Sequence, residues 1–497
     1  MLVHDHLRAT ARIRPDKPAL IVGDQRFSFA EIDRASDRLA ARFQRLGMTR
    51  GDRVATLLEN SAEFVITLWA AFKAGAVFVP IAHGTHTDRL RFILEDSGAR
   101  CLVAAPALKG RVSGAASGVE LLWAGEDGWA DDLGPLSAPR LIDQDLCMIL
   151  YTSGSTGQPK GVMMTHAAVS NNLTAIASYL GNVPEDVILC VLPVTFNYGL
   201  FQILSGAHVG YCVVLEKGFV YPFEVLKRIG EHKVTGMPGV PALFATMLQF
   251  APFDGLDMSS LRYLTNAAAP LPPAHIARLR ELLPKATIYS MYGLTECARV
   301  SYLDPAKIET KSASVGQAIP NAEIYLVDDM GDRVPPGEVG ELVVRGAGLM
   351  RGYWRRPRET ARALADGGLP GEKVLMTGDL FRMDADGDLF FVGRRDEVFK
   401  CKGEKVVPRE VENALHELED VAEAAVIGVP DPVEGMAPKA FVVLRAGSTL
   451  TEQAIRRHCR ARLDAQMVPK WVVLCDGLPK TPSGKITKSA LAAQATE

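Results

Sequence analysis

The sequence predicts an α/β protein in which a large N-terminal domain of helix-covered sheets is followed by a small α+β C-terminal domain. Three observations carry this expectation. Helical and extended apolar patterns alternate along the first hundred residues, as in a largely parallel sheet covered by helices. The chain of 497 residues exceeds what one hydrophobic core usually serves. After Arg395 the texture changes to short mixed units. With 48% hydrophobic residues, 23% charged residues and a net charge of −3, the composition is that of a globular protein. It requires neither nucleic acid nor an acidic membrane as partner.

The elements follow in order. ALIVGDQRFSFAEIDRASDRLAARFQRLGM reads as strand, Gly-Asp turn, strand and helix, and Ser28 with Glu31 forms a capping box at the helix start. Ile32, Ala35, Leu39, Phe43 and Leu46 share one helical face. The pattern repeats as helix (AEFVITLWAAFKAG), strand (AVFVPI), helix (TDRLRFILEDSG) and strand (RCLVAA). The most apolar run, from Ile66, is broken by Lys73, Gly75 and Pro80, so it reads as a buried helix and strand and not as a membrane span. Lys109 to Asp143, rich in Gly, Ala, Ser and Pro, is expected to be irregular, and the strand DLCMILYT comes next. Strands GELVVRG and DLFFVGR flank the turn-rich MDADGD. Beyond Arg395 come a hairpin (VFKCKGEKVV), a helix (PREVENALHEL), two strands (AAVIGV, AFVVL) and a last helix (TEQAIRRHCRARL). A boundary near Asp396 divides the chain into 1–395 and 396–497, both acceptable sizes for one or more domains.

The first residues lack the basic segment and apolar run of a signal peptide. The 8 cysteines are scattered with no C-x-x-C pair, which indicates neither a zinc site nor a disulfide framework and makes a reducing cytoplasm the expectation. His4 with His6, and His83 with His86, lack a completing Cys or carboxylate cluster and are expected at the surface or as caps.

YTSGSTGQPKGV, residues 151–162, directly follows a strand. A glycine-rich turn there exposes backbone N–H groups, the hydroxyls add donors and the lysine adds full positive charge, a combination suited to a polyphosphate. The familiar P-loop is excluded, because Lys160 is preceded by Pro159 and followed by Gly161 where G-K-[ST] is required.

This stretch resembles the signature of the AMP-forming acyl-activating superfamily of acyl-CoA synthetases, peptide-synthetase adenylation domains and firefly-type luciferases. MYGLTE (291–296), TGD (377–379), GRRDEVFKCKGEKV (393–406) and PKTPSGKI (479–486) match in the family's order. The resemblance implies a two-step reaction: a carboxylate attacks the α-phosphate of ATP to give an acyl-adenylate and pyrophosphate, and a thiol then expels AMP. The carboxylate is already a nucleophile, so the first step needs alignment and charge stabilisation and no general base.

The same resemblance assigns roles. Thr152, Ser153, Ser155, Thr156 and Lys160 would grip the phosphates, with Gly154 and Gly157 permitting close backbone approach. Thr295 would contact phosphate and Glu296 would coordinate Mg²⁺, a hard cation suited to oxygen ligands. Tyr292, beside Gly293, would stack on adenine, Asp379 would accept from the ribose hydroxyls and Arg394 would contact ribose or phosphate. Lys485 would stabilise charge developing at the α-phosphate and carboxylate. Asp396 falls at the family's hinge, which makes the C-terminal domain mobile and lets it present two faces for two half-reactions.

The acid pocket is expected around Phe196, Asn197 and Tyr198, with Asn266, Ala267 and Ala268 at its floor. Asn197 carries no charge to pair with an α-ammonium, which disfavours amino acids. The triplet looks like the His-Asn-Tyr of aryl-acid adenylating domains, and FNYGL resembles the stretch found in benzoate-CoA ligases, so anthranilate, salicylate or benzoate is favoured. The alternative is a fatty acid in an apolar tunnel, with Asn197 simply satisfying backbone, since N-A-A-A-P resembles fatty-acyl relatives too. The family usually has glycines in the segment that reads N-A-A-A-P here, and alanines would narrow the floor. The chain ends 12 residues after Lys485 without a carrier domain, so a freestanding ligase using CoA is expected, with a separate carrier protein as the second choice.

Overall fold

The computed structural model of the chain describes residues 1–126, 134–152, 159–480 and 486–495. The fold is mixed α/β, as the alternating patterns predict, and it divides into two compact units: Met1–Ile324 with Val344–Leu375, and Tyr325–Val343 with Met376–Glu497. This division differs from a cut at 395/396, since the residues that pair as strands between Met376 and Arg394 belong to the second unit.

The first unit holds two sheets. One runs in the order Gly352–Tyr353, Lys160–Thr165, Leu146–Thr152, Val77–Ala82, Arg53–Leu58, Ala99–Ala104, Glu120–Trp123. Its central strands are parallel, and Leu146–Thr152 pairs antiparallel with Lys160–Thr165. The other includes the parallel run Thr287–Tyr292, Tyr263–Asn266, Gly236–Gly239, Val187–Cys190, Cys212–Leu215, Pro18–Val22. Short helical crossovers between such strands place helices on the faces of each sheet.

Local chemistry explains the helices. Phe29–Arg45 begins at the capping box: Ser28 Oγ accepts from the Glu31 N–H and the Glu31 carboxylate accepts from the Ser28 N–H. Its inward face includes Ile32, Leu39 and Phe43. Ala62–Lys73 is apolar almost all round and is correspondingly enclosed on every side. Lys73, which interrupts that run, is fully buried, and its ammonium reaches Asp33 Oδ1 at 2.6 Å and Asp37 Oδ1 at 2.9 Å. A buried charge persists here because two carboxylates and the Asp33 carbonyl satisfy it.

Two sequence expectations need correction. The 109–143 segment is not wholly irregular: Lys109–Ser113 is helical, and Glu120–Trp123 adds a parallel strand beside Ala99–Ala104. Only the sheet edge rescues ELLW as a strand, since its four residues are too few to register as a period. His4 and His6 are buried on the helix Val3–Ile13, not at the surface. His166 Nδ1 accepts the Val3 N–H at 3.1 Å, and the His6 and His208 rings pack edge to face with centroids 4.6 Å apart. Burial holds the His4, His6 and His166 pKa values down at about 3, 4 and 4. His86 does stand at the N-cap position of Thr87–Ser97, without a side-chain cap bond.

The second unit contains the antiparallel pairing of Asp379 to Met383 with Leu389 to Arg394. It also contains a five-stranded sheet in the order Glu404–Val406, Phe399–Cys401, Gly435–Leu444, Val421–Asp431, with Trp471–Leu474 along the other edge of Gly435–Leu444. The predicted hairpin, strands and helices appear there, the helices as Pro408–His416 and Glu452–Arg462. Val411, Leu415, Val426, Val442 and Ile455 form its core. No helix among the described residues is long and apolar enough to cross a membrane. All eight cysteines are free thiols, seven of them buried.

Candidate active site

In the first unit the strands Leu146–Thr152 and Lys160–Thr165 set Thr152 and Lys160 directly opposite one another. Ser153, Gly154, Ser155, Thr156 and Gly157 lie outside the described residues. Upstream, Tyr151 is fixed by its hydroxyl, which donates to Asp96 Oδ2 at 2.7 Å. Asp96 also pairs with Arg356 at 2.9 Å. Burial and that carboxylate push the Tyr151 phenol far above its ordinary pKa, so it stays a neutral donor.

Tyr353, on the short strand beside Lys160–Thr165, joins two residues that the sequence assigns to the nucleotide. Its hydroxyl donates to Glu296 Oε1 at 2.8 Å, and the Lys160 ammonium lies 5.6 Å from its ring centroid. Glu296 sits in a turn after the strand Thr287–Tyr292, at whose end the half-buried Tyr292 stands. That turn requires Gly293: a Cβ there would meet the Ala298 carbonyl oxygen at 2.6 Å. The Val300 N–H closes the loop onto the Tyr292 carbonyl at 3.0 Å, and the Met350 N–H bonds the Glu296 carbonyl at 2.6 Å. Thr295 and the Glu296 carboxylate remain partly exposed at the tip.

The acid-pocket candidates also gather in the first unit. Phe196 is the N-cap residue of the helix Asn197–Val209. Asn197 Nδ2 donates to the Ala298 carbonyl at 3.2 Å, which fixes the amide's orientation and leaves Oδ1 buried without a partner among the described residues. The Tyr198 hydroxyl meets Thr265 Oγ1 at 2.6 Å and the Thr265 carbonyl at 2.9 Å, next to Asn266. Asn266 donates to the Ala269 carbonyl at 2.9 Å, and its own Oδ1 is likewise unpartnered. Ala267 is buried, and Ala268 is exposed with φ +74°. An alanine in the left-handed region is strained, which is a physical reason for a glycine to suit this position.

In the second unit Asp379 is buried within the strand Lys373–Met383, directly after Gly378, whose φ is +70°. Arg394 donates to Asp379 Oδ1 at 2.6 Å and to Asp396 Oδ1 at 3.2 Å. Burial pulls the Arg394 pKa down, but the two carboxylates outweigh it and hold the guanidinium firmly charged. Lys485 lies outside the described residues. Nearby in sequence, Lys488 is held by Glu397 at 2.6 Å and Glu412 at 2.8 Å.

Sequence reading missed two residues of this site region. Tyr353 carries no local signal, because its partners are distant in the chain. Arg299 does carry one, a lone charge in the apolar run CARVSYL, and it proves to be only 6% exposed.

An α/β scaffold with a hydroxyl- and glycine-rich segment between paired strands, a tethered turn carboxylate and a buried carboxylate within a strand has the parts of an acyl-adenylate-forming enzyme. The family models agree: residues 7–354 match the AMP-binding enzyme model and residues 410–485 match the AMP-binding enzyme C-terminal domain. The chain belongs to this family, and it is an AMP-forming acyl-CoA ligase. A feruloyl-CoA synthase from Amycolatopsis sp is 37% identical over 96% of this chain and 96% of its own length. O-succinylbenzoate CoA synthetase from Bacillus subtilis, solved in complex with ATP and a magnesium ion, has a TM-score of 0.88 at 29% identity, covering 99% of each chain. The anthranilate CoA ligase AuaEII, in complex with anthranoyl-AMP, has a TM-score of 0.89 at 28% identity over 100% of this chain and 97% of that one.

Proposed function

We propose that this ligase activates a small aromatic acid bearing a donor group, of the anthranilate or salicylate type, and transfers it to CoA. The observation that carries the reading is the Asn197 amide. One of its two N–H groups is committed to the Ala298 carbonyl, and its carbonyl oxygen is buried without a partner among the described residues. Such an acceptor suits an ortho amino or hydroxyl group and gains nothing from unsubstituted benzoate or an alkyl chain. The aryl acids named in the relatives lend support. Fatty-acyl-CoA formation is the competing reading, and loading of a carrier protein is a further one. A cytoplasmic setting fits eight free thiols.

ATP, Mg²⁺ and CoA are the co-reactants of this enzyme class. The acid's carboxylate oxygen attacks the α-phosphorus, the bond to the bridging oxygen breaks and pyrophosphate leaves. The CoA thiol then attacks the acyl carbonyl, losing its proton, and AMP leaves. In this reading Thr152, Ser153, Ser155, Thr156 and Lys160 align the departing pyrophosphate, Thr295 adds a hydroxyl contact and Tyr292 faces adenine. Asp379, steadied by Arg394, takes the ribose hydroxyls, and Lys485 answers the charge that develops at the α-phosphate. The Glu296 carboxylate fits a hard cation, being an oxygen donor held by the Tyr353 hydroxyl. Magnesium bound there would neutralise polyphosphate charge. Asp396 is the proposed hinge.

Acid-dependent ATP–pyrophosphate exchange, measured with anthranilate, salicylate, benzoate and a fatty-acid length series, tests the substrate. The two ortho-substituted acids should give the highest kcat/KM, and Asn197→Leu should erase their advantage over benzoate. A maximum in the fatty-acid series would refute the aromatic reading.

A further inference from the structure

Arg299 is buried to 94% beside the acid-pocket residues, yet no carboxylate among the described residues pairs with it. Its guanidinium carbon lies 4.9 Å from the Tyr198 ring centroid, and its Nε has no hydrogen-bond partner. It follows Ala298, whose carbonyl holds Asn197. Arg299 also lines a cavity with Asn171, Asn172, Cys297, Ile319 and Asn321, and it is the one charged residue among the described residues there. A guanidinium enclosed in this way loses its hydration, and the face of an aromatic ring returns only part of that loss. Part of its donor capacity goes to the Tyr179 phenol, and its Nε–H is left unmet.

We propose that Arg299 sets the substrate's second feature: an oxygen acceptor, phenolic or carboxylate, on the part of the acid remote from the activated carboxyl group. This deepens the aryl-acid reading and rests on it. An acid that brings such an oxygen satisfies the buried Nε–H, whereas one that buries hydrocarbon against it leaves it unmet. A site built to hydrogen-bond a substrate oxygen discriminates strongly against the analogue lacking it. Burial raises the Tyr179 and Tyr198 pKa values, and the nearby Arg299 charge opposes that rise.

The test is pyrophosphate exchange and acyl-CoA formation with matched acids: benzoate against its meta- and para-hydroxy and meta- and para-carboxy derivatives, and cinnamate against 4-hydroxycinnamate. Wild-type enzyme should favour an oxygen-bearing member by about tenfold or more in kcat/KM. The hydroxy and carboxy arms show which oxygen it takes. Arg299→Met should abolish that preference through KM while retaining turnover of the parent acid, and Arg299→Lys should restore it in part. Equal losses on every acid in Arg299→Met, with a matching fall in Tm, or an unchanged preference in either variant, would overturn the assignment. If Arg299→Met does not fold, Arg299→Lys with intact Tm decides: a narrowed preference supports the role and an unchanged one refutes it. Wild-type exchange that depends on acid but is indifferent to the second oxygen refutes Arg299 alone, while absence of exchange with any aryl acid removes the underlying reading as well.

Discussion

Replacing Tyr353 by phenylalanine removes its hydrogen bond to Glu296. The ring is retained, so its contact with the Lys160 ammonium at 5.6 Å survives, while the 2.8 Å donation to Glu296 Oε1 is lost. A hydrogen bond to a charged group contributes about 1.5–3 kcal/mol. If that energy is realised when the carboxylate holds the metal and nucleotide in the transition state, the rate falls by about 10- to 150-fold. The assay is pyrophosphate exchange at saturating acid, with ATP and Mg²⁺ titrated separately. Tyr353→Phe should lower kcat for exchange and raise the Mg²⁺ needed for half-maximal rate, with Tm close to wild type because the residue is only partly buried. Exchange within about twofold of wild type, with an unchanged Mg²⁺ requirement, would show that the tether does not matter and that Tyr353 only packs.

Three further outcomes are expected. Ala268→Gly removes the strain of φ +74°, so stability should rise by about 1 kcal/mol in chemical denaturation, and longer acids should become better substrates as the pocket floor widens. His4 and His166 have pKa values held at about 3 and 4, below the usual 6.5 of an unfolded histidine. The unfolded chain therefore takes up protons first, and stability present above pH 6.5 is lost as pH falls toward 4, by about 2 kcal/mol for each group by pH 5. Urea unfolding at pH 7 and pH 5 should show the loss, and His166→Gln, which keeps an acceptor for the Val3 N–H, should shrink it. Lys485→Ala should leave the fold intact and slow adenylation by about 3 kcal/mol, roughly 150-fold, as read by exchange.

Much of this protein is legible residue by residue. The helix at Phe29 announces itself because Ser28 and Glu31 satisfy orphan N–H groups within one turn. YTSGSTGQPKGV announces an anion cradle because phosphate binding needs glycines, hydroxyls and a lysine close together in the chain, and the other four motifs carry the resemblance to the family. Those features are local, so the order of residues determines them: the α/β alternation, the family's motifs and the ligase class. Tertiary structure decided what depends on desolvation and on distant partners. Tyr353 meets Glu296 across 57 residues, and His166 meets the Val3 N–H across 163. The strand at Glu120–Trp123 exists because an edge awaits it, and the orientation of the Asn197 amide is set by a carbonyl 101 residues away. Arg299 stands out in the sequence only as a lone charge in an apolar run; packing against Tyr198 strips its water and leaves it without a carboxylate among the described residues, and neighbouring residues do not convey that partner.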